Sequence, residues 1–140
     1  TAAVIGVGLD PTALDQAHEL ERFAEKVDAG AEFAITQPVF DPDALLVMLD
    51  KVQHHGIPIL AGIWPLASYR NAMFMHNEVP GVVIPDAILD RMAQRETRDD
   101  QLKEGVAIAR ESVACIADRV AGIQVSAPFG KIELACAVIE

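Results

Sequence analysis

Gln37 is the residue that most needs a chemical explanation. It lies in "FAITQPVFD", Phe33 to Asp41, at the end of an apolar run, and Pro38 follows it. Proline cannot donate to a sheet ladder, so the strand must stop there. A primary amide donates and accepts at once, as recognition of a heterocycle with mixed donor and acceptor edges requires. One explanation is a ligand contact at the carboxyl end of a parallel strand, where open α/β sheets and barrels place their sites. The other is a strand-end Gln reaching water.

Other segments repeat this design. "AGIWPLASYRNAMF", Ala61 to Phe74, is an apolar strand ending at a Pro, followed by Trp64, Tyr69, Asn71, Phe74 and Met75. Aromatic and thioether groups with one amide could wall a flat ligand; ordinary packing of the strand on its helix would use the same residues. "VSAPFGK", Val125 to Lys131, puts Gly130 and Lys131 at the start of a helix, a place suited to anions. Lys131 is there a partner for a ligand carboxylate or a solvated Lys. "GVGLDP", Gly6 to Pro11, opens like a dinucleotide fingerprint but lacks the third Gly, and Pro11 stands where the helix should receive phosphate. Glu19, Arg22, Glu25 and Lys26 form a charged helix face. His54 and His55 are adjacent near a helix end, where neighbours in sequence are not expected to point the same way, which disfavours a metal pair. No Ser/His/Asp, Cys/His or CxxC spacing is present. Cys115 and Cys136 sit among apolar residues, which argues for a reduced, cytoplasmic setting and against a disulfide framework or metal site.

The elements that must position these residues follow from period and punctuation. Strands are expected at Ala3–Leu9, Phe33–Gln37, Ile57–Ile63 and Gly122–Ser126. Helices are expected over Leu14–Ala29, from Asp41-Pro42-Asp43 to Gly56, over Ser68–Asn77, from Pro85-Asp86 to about Arg95, over Leu102–Val120 and over Ile132–Glu140. Glu96–Asp100 reads as a polar break. The strands are continuous apolar runs, as in a parallel sheet buried on both faces. Four βα units fit a small doubly wound domain or half of an eight-stranded barrel of about 250 residues. The 140 residues are 51% hydrophobic, and the net charge of −10 argues against nucleic acid or an anionic membrane as partner. No apolar run reaches membrane-spanning length. The chain opens at Thr1 almost inside a strand, and so reads as a piece of something longer.

"KVDAGAEFAITQPVFD", "IPILAGIWPLASYRNA", "VPGVVIPDAILDRM", "EGVAIARE" and "GIQVSAPFGKIELA" together resemble the methylenetetrahydrofolate reductases, flavoproteins built on a (βα)8 TIM barrel. "GVGLDPTA", "GIWPLASYRNA" and "VSAPFGK" look most like the reductase half of bacterial chains that also carry a homocysteine S-methyltransferase domain. The resemblance implies that residues 1–140 are a single partial domain, the second half of the barrel, strands five to eight. It implies hydride transfer from NAD(P)H to FAD and on to 5,10-methylenetetrahydrofolate, giving 5-methyltetrahydrofolate.

In that likeness Gln37 touches the pterin of the folate. Asn71 falls where the common pattern has a Gln, Met75 where it has a Phe, and Lys131 where an Arg often lies. Phe129 joins this folate-binding set. Asp10, Glu19, Arg22, Lys26, Ala31 and Ile35 fall on the FAD side. No catalytic residue is carried over, because the family's acid–base Glu belongs to the first strand and further flavin contacts to strands two to four. The chain alone is therefore not expected to turn over. A half-barrel leaves two sheet edges unpaired, so a homo-oligomer is expected. The competing readings are a non-catalytic half-barrel that serves folding or assembly and binds no ligand well, and a different barrel enzyme sharing only this half.

Overall fold

Four apolar runs lie side by side as one parallel sheet in the computed structural model, which describes residues 2–140. β1 (Gly6–Leu9), β2 (Phe33–Thr36), β3 (Ile59–Ile63) and β4 (Gly122–Val125) are ordered as they occur in the chain. Val7 faces Ala34, Ile35 faces Leu60 and Gly62 faces Gln124 across the successive pairs. Six helices connect and follow them: α1 (Gln16–Asp28), α2 (Pro42–Val52), α3 (Tyr69–Glu78), α4 (Asp86–Ala93), α5 (Arg98–Ile116) and α6 (Ile132–Ile139). The expected alternation of strands and helices, with a helical insertion after β3, is present.

Side-chain caps decide where four of the helices begin. Asp15 accepts the His18 N–H, Asp41 the Ala44 N–H, Ser68 the Asn71 N–H and Thr97 the Asp100 N–H. Two sequence expectations are corrected by these caps. Leu14 is not the first residue of α1 but precedes its cap, fully exposed at 103%. The polar break falls earlier than Glu96–Asp100, between Ala93 and Arg98: Thr97 caps α5, and Asp99 and Asp100 occupy its first turn, where carboxylates suit the helix dipole. The first strand is also shorter than expected, because Ala3, Val4 and Ile5 are exposed and precede β1. Ile5 still meets Glu32, accepting its N–H at 2.8 Å and donating to its carboxylate at 3.2 Å. Cys115 and Cys136 are exposed, contrary to the apolar setting their neighbours suggest.

The expectation of strands buried on both faces holds for the two inner strands alone. β3 is almost wholly buried, β2 alternates between buried and half-buried, and β1 and β4 form the edges and are more open. One core cluster, built on Leu9, Phe23, Leu45, Met48, Ile63 and Ile116, joins the sheet to α1, α2 and α5. A second gathers Phe40, Leu66, Met75, Ile84, Met92 and Ile108 under α3 and α4. Arg91 of α4 reaches Glu104 at 2.7 Å and Glu111 at 2.6 Å on α5, and Arg95 reaches Glu104 at 2.9 Å. The hydrogen bond from Arg91 holds the Glu111 carboxyl below the ordinary range.

α5 also approaches the main chain of Leu66 directly, and Gly105 makes that possible: a Cβ there would run into the Leu66 carbonyl. Gly105→Ala should therefore destabilise the fold by about 1–3 kcal/mol, the cost of forcing a methyl into a packed contact. Gly8→Ala is the control, since nothing lies within 4 Å of a Cβ at that position. Urea midpoints of the two variants check this; equal midpoints would contradict the close approach.

Candidate functional site

The sheet ladder between β2 and β3 changes character at Thr36. Backbone pairing runs through Ile35 and Leu60; beyond it, the Gly62 N–H donates to the Thr36 hydroxyl at 2.9 Å. That hydroxyl donates in turn to the Gln37 carbonyl at 2.9 Å. A side chain at position 62 would not fit, because its Cβ would lie 2.5 Å from the Thr36 carbonyl oxygen. The chain then crosses the end of β3, with the Val39 N–H on the Gly62 carbonyl at 2.9 Å. Thr36 is buried and Gln37 is exposed, so the amide leaves the sheet at the carboxyl ends of the strands.

A cavity of about 280 Å³ lies there, lined by Gln37, Pro38, Trp64, Asn71, Phe74, Met75, Val79 and Phe129. Asn71 is 6% exposed, and its carbonyl oxygen accepts the Ala67 N–H at 3.2 Å. A backbone N–H can only donate, so this bond fixes which end of the amide is which and leaves the NH2 for other partners. The Trp64 indole N–H is buried and is the one such side-chain group with no acceptor among the described residues. Phe129 is 75% exposed and holds φ at 54°, the left-handed region that costs a non-glycine residue about 1–2 kcal/mol. Lys131 lines an adjoining cavity rather than this one, and Phe129 belongs to both.

A second groove, about 470 Å³, opens on the other side of Val79. Asp10, Glu19 and Arg22 line it together with His18, His76 and the loop from Val79 to Val83. Glu19 is buried and accepts the Asp10 N–H at 2.9 Å, which fixes the end of β1. Gly81 presses against Asp10, and the Thr12 hydroxyl donates to the Gly81 carbonyl at 3.1 Å. Three other candidates stay outside the groove. Lys26 places its ammonium on the Gly8 carbonyl at 2.8 Å, Ala31 is buried at the amino end of β2, and Ile35 is half-buried within that strand. Trp64, Tyr69, Asn71, Phe74 and Met75 were marked as a possible ligand wall by sequence, and Tyr69 does not line the cavity. Val79 and Gly81 were not; the Pro80-Gly81 pair is a turn signal, but nothing in it says which strand ends the turn will cover.

A sequence model of the methylenetetrahydrofolate reductase family matches residues 8–125. The chain belongs to the methylenetetrahydrofolate reductase family. It is 30% identical over 115 residues to methylenetetrahydrofolate reductase 2 of Schizosaccharomyces pombe, covering 77% of this chain and 18% of that protein. It is 36% identical over 59 residues to methylenetetrahydrofolate reductase (NADH) 1 of Arabidopsis thaliana, covering 41% of this chain and 10% of that protein. The chain thus spans less than a fifth of these reductases. Among solved structures, its fold is similar to that of a Clostridium thermocellum protein described as binding two copies of 5-methyl-5,6,7,8-tetrahydrofolic acid. The TM-score is 0.65 at 20% identity, over 96% of this chain and 51% of that one. No described helix of this reductase-family chain is long and apolar enough to cross a membrane.

Phe129→Gly removes the left-handed strain and loses little burial, while glycine adds freedom to the unfolded chain. Its stability should stay within about 1 kcal/mol of the parent, read from urea midpoints. A loss well beyond that would show that the exposed ring carries packing instead of sitting strained at the cavity mouth.

Proposed function

We propose that the chain is the folate-facing half of a flavin-dependent reductase barrel, strands five to eight. In this reading the Gln37–Asn71 cavity takes the pterin ring as 5,10-methylenetetrahydrofolate is reduced to 5-methyltetrahydrofolate. The observation that supports it most is the convergence of two amides on one cavity with aromatic and thioether walls. Gln37 offers a donor and an acceptor; Asn71 offers its NH2, its oxygen already holding the Ala67 N–H. The rings of Trp64, Phe74 and Phe129 and the thioether of Met75 supply faces for a flat heterocycle. At about 280 Å³ the space accepts a ring system and leaves the rest of a folate outside.

The groove beyond Val79 fits part of an FAD. Arg22 and His18 suit its phosphates, Asp10 and Asp15 its hydroxyls, and Val79, Val82 and Val83 an apolar wall. FAD, when bound, supplies the hydride for the folate and is itself reduced by NAD(P)H. Of this chain's residues, Glu19 holds the end of β1 in place for that groove, and Lys26 restrains the middle of the same strand. The acid–base residue lies outside these 140 residues in this reading. The motif around Trp64 supports the bacterial type that also carries a homocysteine S-methyltransferase domain.

Trp64 is the sole tryptophan, so its fluorescence reports filling of the cavity. Titration with 5-methyltetrahydrofolate should change that signal saturably, and Gln37→Ala should weaken binding about tenfold, within the cost of leaving a ligand hydrogen bond unmade. Binding that is unaffected by Gln37→Ala would overturn the placement of the pterin. The outer edges of β1 and β4 have no partner among the described residues. In the same reading, further strands or a second copy cover them. Sedimentation velocity should show assembly that grows with concentration; a monomer throughout would remove self-association from the proposal.

A further inference from the structure

His76 meets the main chain in a way that only its neutral ring allows. Its Nδ1 accepts the Ile84 N–H at 3.2 Å. A backbone N–H can only donate, so this nitrogen carries no proton and the ring hydrogen is on Nε2. An imidazolium has a proton on both nitrogens and can accept nothing. Histidine is the side chain whose charge ordinarily changes between about pH 5 and pH 8. A bond to the main chain here exists or not according to one proton.

What the bond holds is the segment between α3 and α4. Besides it, residues 80–84 are held among the described residues by the Thr12 hydroxyl on the Gly81 carbonyl at 3.1 Å and by the Val82 N–H on the Val79 carbonyl at 3.2 Å. Ile84 is buried in the second core cluster, and a buried N–H without an acceptor is destabilising. Val79, at the head of the same segment, lines both the ring cavity and the Asp10 groove.

The charges beside the ring favour the opposite state. His76 shares its groove with Asp10 at the end of β1, Asp15 at the cap of α1, and His18, Glu19 and Arg22 on α1. α4, which packs on α3, adds no lining residue to this groove. Three carboxylates against one guanidinium attract a positive ring, whereas the Ile84 bond demands a neutral one. Asp10 already reaches the segment, at Gly81. The ring thus has two incompatible sets of partners, and protonation exchanges one for the other.

We propose that His76 is a proton-operated latch on the Val79–Ile84 segment. Neutral, it holds the segment down and keeps Val79 as the partition between the two spaces. Protonated, it releases Ile84, turns to the carboxylates of the groove and lets the two spaces join. The latch acts whatever those spaces bind, so it stands apart from the folate reading.

Amide hydrogen exchange of the chain without ligand tests this, each rate being divided by that of an unstructured amide at the same pH. Protection of the Ile84 N–H should fall about tenfold between about pH 8 and pH 5, as expected for the loss of one hydrogen bond. The Ala34 N–H, on the Pro58 carbonyl at 2.9 Å within the sheet, should keep its protection and so exclude general loosening. His76→Asn leaves an acceptor that does not titrate and should stay protected at both pH values. His76→Phe leaves a ring without an acceptor and should be poorly protected at both. Equal protection of Ile84 across the range in the parent chain would overturn the latch. So would a fall that survives in either variant, as it would if His18 were responsible. A second measurement needs no variant: the ring nitrogen signals of His76 should show the Nε2–H form at high pH and change with the same midpoint as the Ile84 amide shift. Separate midpoints would also overturn the proposal.

Discussion

The hydroxyl of Thr36 closes the seam between the two inner strands, and the geometry of both cavities follows from it. A parallel ladder would continue from backbone to backbone, but here the Gly62 N–H turns to a side chain. This keeps a buried donor satisfied while the β2 chain lifts away from β3. The lift brings the Thr36 carbonyl so close to Gly62 that no side chain fits there. Thr36 and Gly62 are therefore a matched pair: one supplies the missing acceptor and the other the missing volume. The result is an amide at position 37 that leaves the sheet at its open end, beside the turn that follows β3.

What covers that end is the segment between α3 and α4. It is tied to the first strand by the Thr12 bond to Gly81 and by the contact of Gly81 with Asp10. The His76 ring accepts the Ile84 N–H at 3.2 Å and anchors the same segment to its own helix. Val79 thereby becomes a partition, facing the amide cavity on one side and the Asp10 groove on the other. Two ligands seated in these spaces would be near neighbours across a single apolar side chain.

Much of this was legible from residue order, and the misses have physical causes. Strands ending in Pro were readable because proline withdraws a donor from the ladder whatever surrounds it. Gln37 and Asn71 line one cavity because the turn and helix that follow β3 lie beside the end of β2; sequence joined the two residues only through the family resemblance. The start of α5 was misread because its first turn is exposed, so hydropathy gave no signal while the Thr97 cap did. Cys115 was misjudged because it adjoins Ile116 in sequence. On α5 the buried positions are Ile108, Ala109, Ser112 and Ile116, and residue 115 falls just off that stripe. Val79, Gly81 and the cavity beside Lys131 were illegible because they depend on where an irregular segment and two helix starts come to rest, and no periodicity encodes that.

The two amides of the ring cavity are not equivalent, and the difference determines what the cavity can recognise. Asn71 is short, buried and held by the Ala67 N–H, so its orientation is set before any ligand arrives. It presents donors in a fixed direction, and a ligand lacking an acceptor there would leave those donors without partners. Gln37 is longer and exposed, and its amide has no partner among the described side chains, so it can turn to match a donor or an acceptor. A rigid donor facing an adjustable amide discriminates strongly at one edge of a heterocycle and tolerates change at the other. The site is therefore biased toward rings that present acceptors to the β3 side of the cavity, a carbonyl or an unprotonated ring nitrogen, and this asymmetry is set by the fold around Ser68 rather than by the ligand.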